Sequence, residues 1–178
     1  MGLGTEILVF LVDVIFSLYI SAVVIRLLLG FARAPMSQFL VKVTNPALVP
    51  LRRFLPSFGS IDSSAVFLAF VLTLIKLTLI MLIKTGALHF PEIIIYAVGD
   101  LVKLIIFLYL FSLIIQVITS WIGSAQGNPI TPLLNSLTAP ILRPIRKVVP
   151  LIGMMDLSPL VAILGLNILL MIVARVFI

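Results

Sequence analysis

The chain has no cysteine, which excludes a disulfide framework, a thiolate metal site, an iron–sulfur cluster and a cysteine nucleophile. Charge is scarce: only 10% of its 178 residues are Asp, Glu, Lys or Arg, and only six are acidic. Its single histidine, His89, stands beside Phe90 and Pro91 with Glu92 as the only nearby ligand, too few donors for a metal. No Gly-rich phosphate loop, Ser/His/Asp group or HExxH helix is present, so the expectation is a non-enzyme without metal or cofactor. What the chain has in excess is hydrocarbon. With 62% apolar residues and a mean hydropathy of +1.36, it fits neither a water-soluble domain nor a disordered chain. It reads as an all-α membrane protein, with length for about four crossings at roughly 20 residues each.

Four apolar runs supply those crossings: Ile7 to Leu29, Ser63 to Ile83, Ile93 to Ile122 and Leu160 to Ile178. The first is preceded by Glu6 and no Lys or Arg, and no small-residue cleavage site follows it. It is therefore expected to persist as a helix rather than to act as a removable signal. The third run is long enough to require tilt or an interfacial first turn. Pro159 suits the first turn of the fourth, and Trp121 at the end of the third suits an interfacial anchor. Tyr19, Tyr96 and Tyr109 are the remaining aromatics with a polar end.

The basic residues assign the faces. Arg33, Lys42, Arg52, Arg53, Arg143, Arg146 and Lys147 fall in the two long connections, against Lys84 and Arg175 on the opposite side. Because Lys and Arg are retained on the cytoplasmic side, both long connections are expected there and both termini outside. The net charge of +6 then sets orientation and meets anionic lipid headgroups; nucleic acid is not an expected partner.

Displaced by 94 residues, the sequence aligns with itself without a gap. TNPALVPLRRFLPSFGSIDSS (44–64) matches TAPILRPIRKVVPLIGMMDLS (138–158) at nine of 21 positions, where ordinary composition gives about one or two. The matched residues are Thr44/Thr138, Pro46/Pro140, Leu48/Leu142, Pro50/Pro144, Arg52/Arg146, Pro56/Pro150, Gly59/Gly153, Asp62/Asp156 and Ser64/Ser158. The pattern reads as a tandem duplication of a helix–motif–helix unit. The expected units are 1–84, with helices about 7–29 and 63–83 and motif loop 33–62, and 85–178, with helices about 93–122 and 160–178 and motif loop 128–158. Two crossings return the chain to its starting side, so the two hairpins face the same way. Within each motif, the residues before the first proline look like caps, and a second proline four residues on predicts a short kinked or broken turn. The segment around Leu51, Phe54 and Leu55 is amphipathic, with Arg52 and Arg53 toward phosphate. Gly59 and Gly153 suit a reversal with positive φ, and Asp62 and Asp156 suit N-caps, with pairing to the motif arginine as an accompanying role.

This doubled motif of Thr, two spaced prolines, Arg, then Pro, Gly and Asp-x-Ser resembles the YggT family of bacterial inner-membrane proteins, over essentially the whole chain. The resemblance implies a small multi-pass inner-membrane protein, with bacterial members linked to osmotic-stress tolerance and potassium uptake. Gram-positive and cyanobacterial relatives are linked to cell division and nucleoid distribution, and chloroplast relatives to haem attachment during cytochrome maturation. Two functions follow as alternatives: membrane and osmotic stress tolerance through ion homeostasis, or a non-enzymatic assembly factor for membrane complexes.

Two groups of residues are candidates for function. Arg52, Arg53, Arg146 and Lys147, with Asp62 and Asp156, form the motif group. Its simple role is to hold the connections on one side and rest on anionic lipid; its sharper role is to bind a protein partner. Asp13, Lys76, Asp100, Lys103 and Asn167 are the intramembrane polar group. Asp13, Lys76 and Lys103 fall roughly 9 to 15 Å below one face at 1.5 Å per residue. A charge at such depth costs about 2.5 to 3.5 kcal/mol, so Asp13 is expected to neutralise Lys76 or Lys103, with Asp100 one turn above Lys103. Structural pairing and an ion path both satisfy that pattern. Asn167 and Gln116 are candidates for hydrogen bonds between helices, and oligomerisation or association with other membrane proteins is open.

Overall fold

The computed structural model describes residues 2–30, 35–55, 62–86, 90–122, 130–149 and 156–177. Among these, all regular structure is helical: α1 (Leu3–Leu29), α2 (Pro35–Arg52), α3 (Ser63–Thr85), α4 (Phe90–Ile122), α5 (Ile130–Arg146) and α6 (Ser158–Phe177). Helices α1, α3, α4 and α6 are long and apolar enough to cross a bilayer. At 33 residues, α4 reaches roughly 50 Å at 1.5 Å per residue and exceeds a hydrocarbon core of about 30 Å. It runs unbroken from Phe90 to Ile122. Glycines end two of the spans. Gly86 adopts φ 68° and returns its N–H to Leu82 O at 3.0 Å, closing α3 with a left-handed cap. Gly30 also has positive φ, 57°, but with ψ −138° it lies outside the left-handed helical region, and it closes α1 by a tighter bond from its N–H to Leu27 O at 3.2 Å.

The two connections differ from the sequence expectation. Most of each is a helix of 18 or 17 residues, not a loop with one short turn. Thr44 and Asn45 lie well inside α2 instead of capping it. Pro46 and Pro50 in α2, like Pro140 and Pro144 in α5, sit inside continuous helix. All four prolines are on exposed faces. The carbonyls they leave without an N–H partner lie four residues back on the same face, where water or headgroups can reach them. Packing on the opposite face outweighs the propensity cost. That face buries Thr44 and Leu48 in α2 and Thr138 and Leu142 in α5, each 0–1% exposed. Gly59 and Gly153, and with them Pro56 and Pro150, lie outside the described residues, as does His89.

Helix α1 packs most extensively on α3, and α4 on α6; α3 against α4 joins the two pairs. α2 rests on α1 and α3, and α5 on α4 and α6. Two core clusters result. One gathers Ile20, Val23, Val24, Leu48, Ala65, Leu68 and Ala69; the other gathers Ile106, Leu110, Leu113, Leu142, Ala162, Leu166 and Val173. Outward-facing positions such as Phe10, Leu18, Phe111, Leu164 and Met171 are large and apolar, the surface that hydrocarbon chains solvate and water does not. Gly99 permits the close approach of α4 and α6: a Cβ built there lies 2.5 Å from Phe177 Cβ.

Candidate functional site

The charges inside the spans converge. Lys76, in the middle of α3, is 5% exposed. Its Nζ lies 2.5 Å from Asp100 Oδ2 on α4 and 3.3 Å from Asp13 Oδ1 on α1. Ser17, one turn beyond Asp13, accepts a long bond of 3.4 Å from the same ammonium and donates one of 3.4 Å to Asp13. The helix positions explain the convergence. Asp13 and Ser17 share a face of α1 at i and i+4, and the packing of α1 on α3 and of α3 on α4 brings both carboxylates to one lysine. An ammonium buried among apolar helices needs such partners, because its desolvation outweighs any single weak contact.

The cluster borders a cavity of about 300 Å³. Asp13, Ser17, Thr73, Lys76, Asp100 and Lys103 supply its polar wall, and Ile20, Leu101, Leu104 and Phe107 its apolar wall. The carboxylates are not sealed in: the Asp13 side chain is 53% exposed and that of Asp100 38%. Lys103 shares the cavity, and among the described residues no carboxylate comes within 4 Å of its ammonium. Asp100 lies one turn from Lys103 but is paired across helices to Lys76 instead. Asn167 is not part of this arrangement. It is exposed on α6, and its amide donates to Ile163 O of its own helix at 2.8 Å. The expectation of an interhelical bond from Asn167 is thereby corrected; a bond to the preceding turn satisfies the amide without a neighbour.

Gln116 does bridge helices. Its Nε2 donates to Asn135 Oδ1 of α5 at 2.8 Å, and its Oε1 accepts from Thr138 Oγ1 at 2.8 Å. In the first half the corresponding clamp is charged: Arg26, in the last turn of α1, donates to Thr44 Oγ1 at 2.5 Å and to Asn45 Oδ1 at 2.9 Å. Thr44 Oγ1 also donates to Leu40 O of its own helix at 2.7 Å, and Thr138 Oγ1, with one proton to share, lies 2.8 Å from Leu134 O as well as from Gln116. Neither clamp was evident from the motif; an arginine inside an otherwise apolar span was the signal for the first.

The motif ions pair in the same way twice. Arg52 is bonded to Asp62, and Arg146 Nε donates to Asp156 Oδ2 at 2.9 Å. Asp62 holds the N-cap position of α3 without a side-chain cap bond; its Oδ2 is bonded to Arg52 and its Oδ1 is buried without a partner, which corrects the capping expectation there. Asp156 stands one residue before the N-cap position of α6, and from there its Oδ1 accepts the Ser158 N–H at 2.9 Å. Burial acts to raise the Asp156 carboxyl, but the hydrogen bond from the Ser158 N–H together with Arg146 outweighs it and holds the group below the usual carboxylate range. Arg53 and Lys147 are exposed beside exposed Phe54 and Val148. Tyr19 and Tyr109 pack against the two cores, and Tyr96 is exposed. The Trp121 side chain lies outside the description. Among the described residues no group of three metal-ligating side chains occurs.

Four long apolar helices and two shorter helices braced against them by threonine clamps and Arg–Asp pairs define a multi-pass helical membrane protein, with a paired lysine in its interior. Its particular kinship follows from sequence. The model of the CCB3/YggT family matches residues 5–83 and 95–177, and the chain belongs to that family. It is 39% identical over 164 residues to an uncharacterised protein of Vibrio alginolyticus, covering 89% of this chain and 88% of that one. It is 36% identical over 173 residues to the uncharacterised protein YggT of Escherichia coli (strain K12), covering 95% of this chain and 90% of the relative. An uncharacterised protein of Pseudomonas aeruginosa is 37% identical, with 97% and 90% covered. No solved structure matches the chain.

Proposed function

We propose that this is a non-enzymatic inner-membrane protein that supports membrane and osmotic stress tolerance through ion homeostasis, potassium included. The observation that carries the reading is Lys76, buried between Asp13 and Asp100 at the edge of a cavity within the spans. Ionisable side chains at that depth are costly, and where they are kept they serve ion or proton pathways more often than packing. The cavity walls continue to the exposed faces of both aspartates, which gives solvent or an ion an approach to the pair.

The proposed frame is two like-facing helical-hairpin repeats, 1–84 and 85–178, with Arg52, Arg53, Arg146 and Lys147 on the cytoplasmic side and both termini outside. Three facts support it: the nine matched positions, the two separate stretches over which the family model matches, and the seven-to-two distribution of basic residues. A reporter fused after Ile178 tests the orientation; activity confined to cytoplasmic reporters overturns it.

Reconstitution into liposomes tests the function. Cation flux that changes with Asp13→Asn or Asp100→Asn supports it, and absence of flux across salts and voltages removes it. A second reading, an assembly factor for membrane complexes, is favoured by the exposed pairs Arg53–Phe54 and Lys147–Val148 at the ends of α2 and α5. Cations beside apolar side chains suit both headgroups and partner helices. A co-purifying protein lost on substitution of Arg52, Arg53, Arg146 and Lys147, with flux absent, selects it. The reading carries over to neither a cofactor nor a nucleic acid.

A further inference from the structure

The cavity is larger than a bare ion requires and contains two poles of opposite sign. Its volume of about 300 Å³ equals roughly ten waters' share of the liquid and reaches the lower end of small-molecule pockets. The acidic pole consists of Asp13 and Asp100 with Lys76 between them. With both aspartates ionised, two negative charges face one positive. Each carboxylate commits one oxygen to Lys76, Oδ1 of Asp13 and Oδ2 of Asp100, and both side chains keep substantial exposure. The basic pole is Lys103, in the same wall and without a carboxylate within 4 Å among the described residues. Asp100 and Lys103 are three residues apart on α4, so the poles stand about 5 to 6 Å apart at their Cβ atoms. Phe107, one turn beyond Lys103, adds an aromatic face to the lining.

From this arrangement we infer that the cavity is a binding site for a small zwitterion, whose carboxylate meets Lys103 and whose ammonium meets the free oxygens of Asp13 and Asp100. A ligand with both charges completes both poles at once. A lone cation leaves Lys103 uncompensated, and a lone anion meets the carboxylates unfavourably. The inference rests on the reading of the Lys76 cluster as the functional site, but it concerns binding and stands or falls apart from flux.

The test is calorimetric titration of the full chain in lipid nanodiscs with glycine betaine and L-proline, alongside tetramethylammonium and propionate as the separate halves. The expected result is millimolar binding of at least one zwitterion and weaker binding of either half. Lys103→Met should weaken zwitterion binding by about tenfold or more, as expected on losing a charged hydrogen bond. Lys103→Arg should retain most of the binding, and Asn167→Leu all of it. Should Lys103→Met misfold, Lys103→Gln provides the second arm, with a comparable loss of zwitterion binding expected. No zwitterion binding to a folded chain overturns the inference. So does tetramethylammonium binding as tightly as betaine with no effect of Lys103→Met, which makes the site one for cations alone. Flux without zwitterion binding overturns this inference and leaves the ion reading intact; binding without flux does the reverse.

Discussion

The two halves agree at their elbows and disagree inside the membrane. In both, a buried threonine and leucine fix the short helix: Thr44 and Leu48 in one, Thr138 and Leu142 in the other. In both, an arginine reaches an aspartate ten residues on, and a fully buried serine, Ser64 or Ser158, starts the next span. Even the fraying ends coincide. Arg53, Phe54 and Leu55 donate to Pro50, Leu51 and Leu51, as Lys147, Val148 and Val149 donate to Pro144, Ile145 and Ile145. Of the span charges only Asp100 has a counterpart of its own sign, Glu6, 94 residues earlier; the others have none. Ninety-four residues after Asp13 stands Phe107, and 94 after Lys76 stands Leu170. The matched residues are those the fold needs twice. The unmatched ones require another reason, and that is where function is sought.

The sharpest way to break this contrast is to remove the unmatched lysine. Lys76→Leu leaves Asp13 and Asp100 without their common partner; breaking a pair costs about 3 to 5 kcal/mol when the orphaned charge is buried, and less here because both carboxylates are partly exposed. The expected outcome is a marked loss of thermal stability in detergent, partly restored when Asp100→Asn is added. If Lys76→Leu is as stable as the parent chain, the cluster does not hold the spans together and the interior charges need no pairing.

The two threonine clamps come next, since they do the same work with different chemistry. Arg26→Ala removes hydrogen bonds from a charged donor, worth about 1.5 to 3 kcal/mol each, whereas Gln116→Ala removes neutral ones worth about 0.5 to 1.5. Unfolding of the two variants should therefore show the larger loss in the first half. Equal losses would mean that Arg26 acts through shape alone.

A smaller contrast lies between two glycines. Gly99→Ala places a Cβ 2.5 Å from Phe177 Cβ, while a Cβ at Gly165 meets nothing within 4 Å. Overpacking costs about 1 to 3 kcal/mol, and an exposed helical Gly→Ala gains up to about 1 kcal/mol. Gly99→Ala is expected to lower the melting temperature and loosen the end of α6, and Gly165→Ala to leave it level or raise it.

Much of the fold was legible because the signals were local. Runs of about 20 apolar residues fix spans by length alone, and the observed helices begin and end within a few residues of those runs. The internal identity located the residues that the elbows bury, although not the form the elbows take. Prolines four apart read as a break, and only the packed face of α2, with Thr44 and Leu48 fully buried, explains why the helix continues. The site was legible in composition and not in pairing. Depth counting gathered Asp13, Lys76 and Lys103 into one layer, but the shorter contact of Lys76 is to Asp100. That choice depends on how α3 meets α4, which no spacing within one helix encodes. Asn167 shared the composition signal and faces outward, because a residue's depth says nothing of its azimuth.

The smallest expected effect separates the two Arg–Asp pairs, which the sequence makes identical. Exposed ion pairs contribute only about 0.2 to 1 kcal/mol and weaken with salt. The Asp62 side chain is 14% exposed and that of Asp156 30%, so salt should weaken the second pair more than the first. Asp156 adds a pH signature through its lowered carboxyl. A carboxyl lower in the folded chain than in the unfolded one stabilises the fold above its unfolded value. That contribution disappears as pH falls through the folded value. The acid limb of the stability profile should therefore flatten in Asp156→Asn. Arg146→Met should flatten it only in part, since Ser158 still holds the carboxylate. An unchanged acid limb in Asp156→Asn would show that this elbow carries no proton-linked stability, and that the matching ion pairs are kept for geometry rather than for energy.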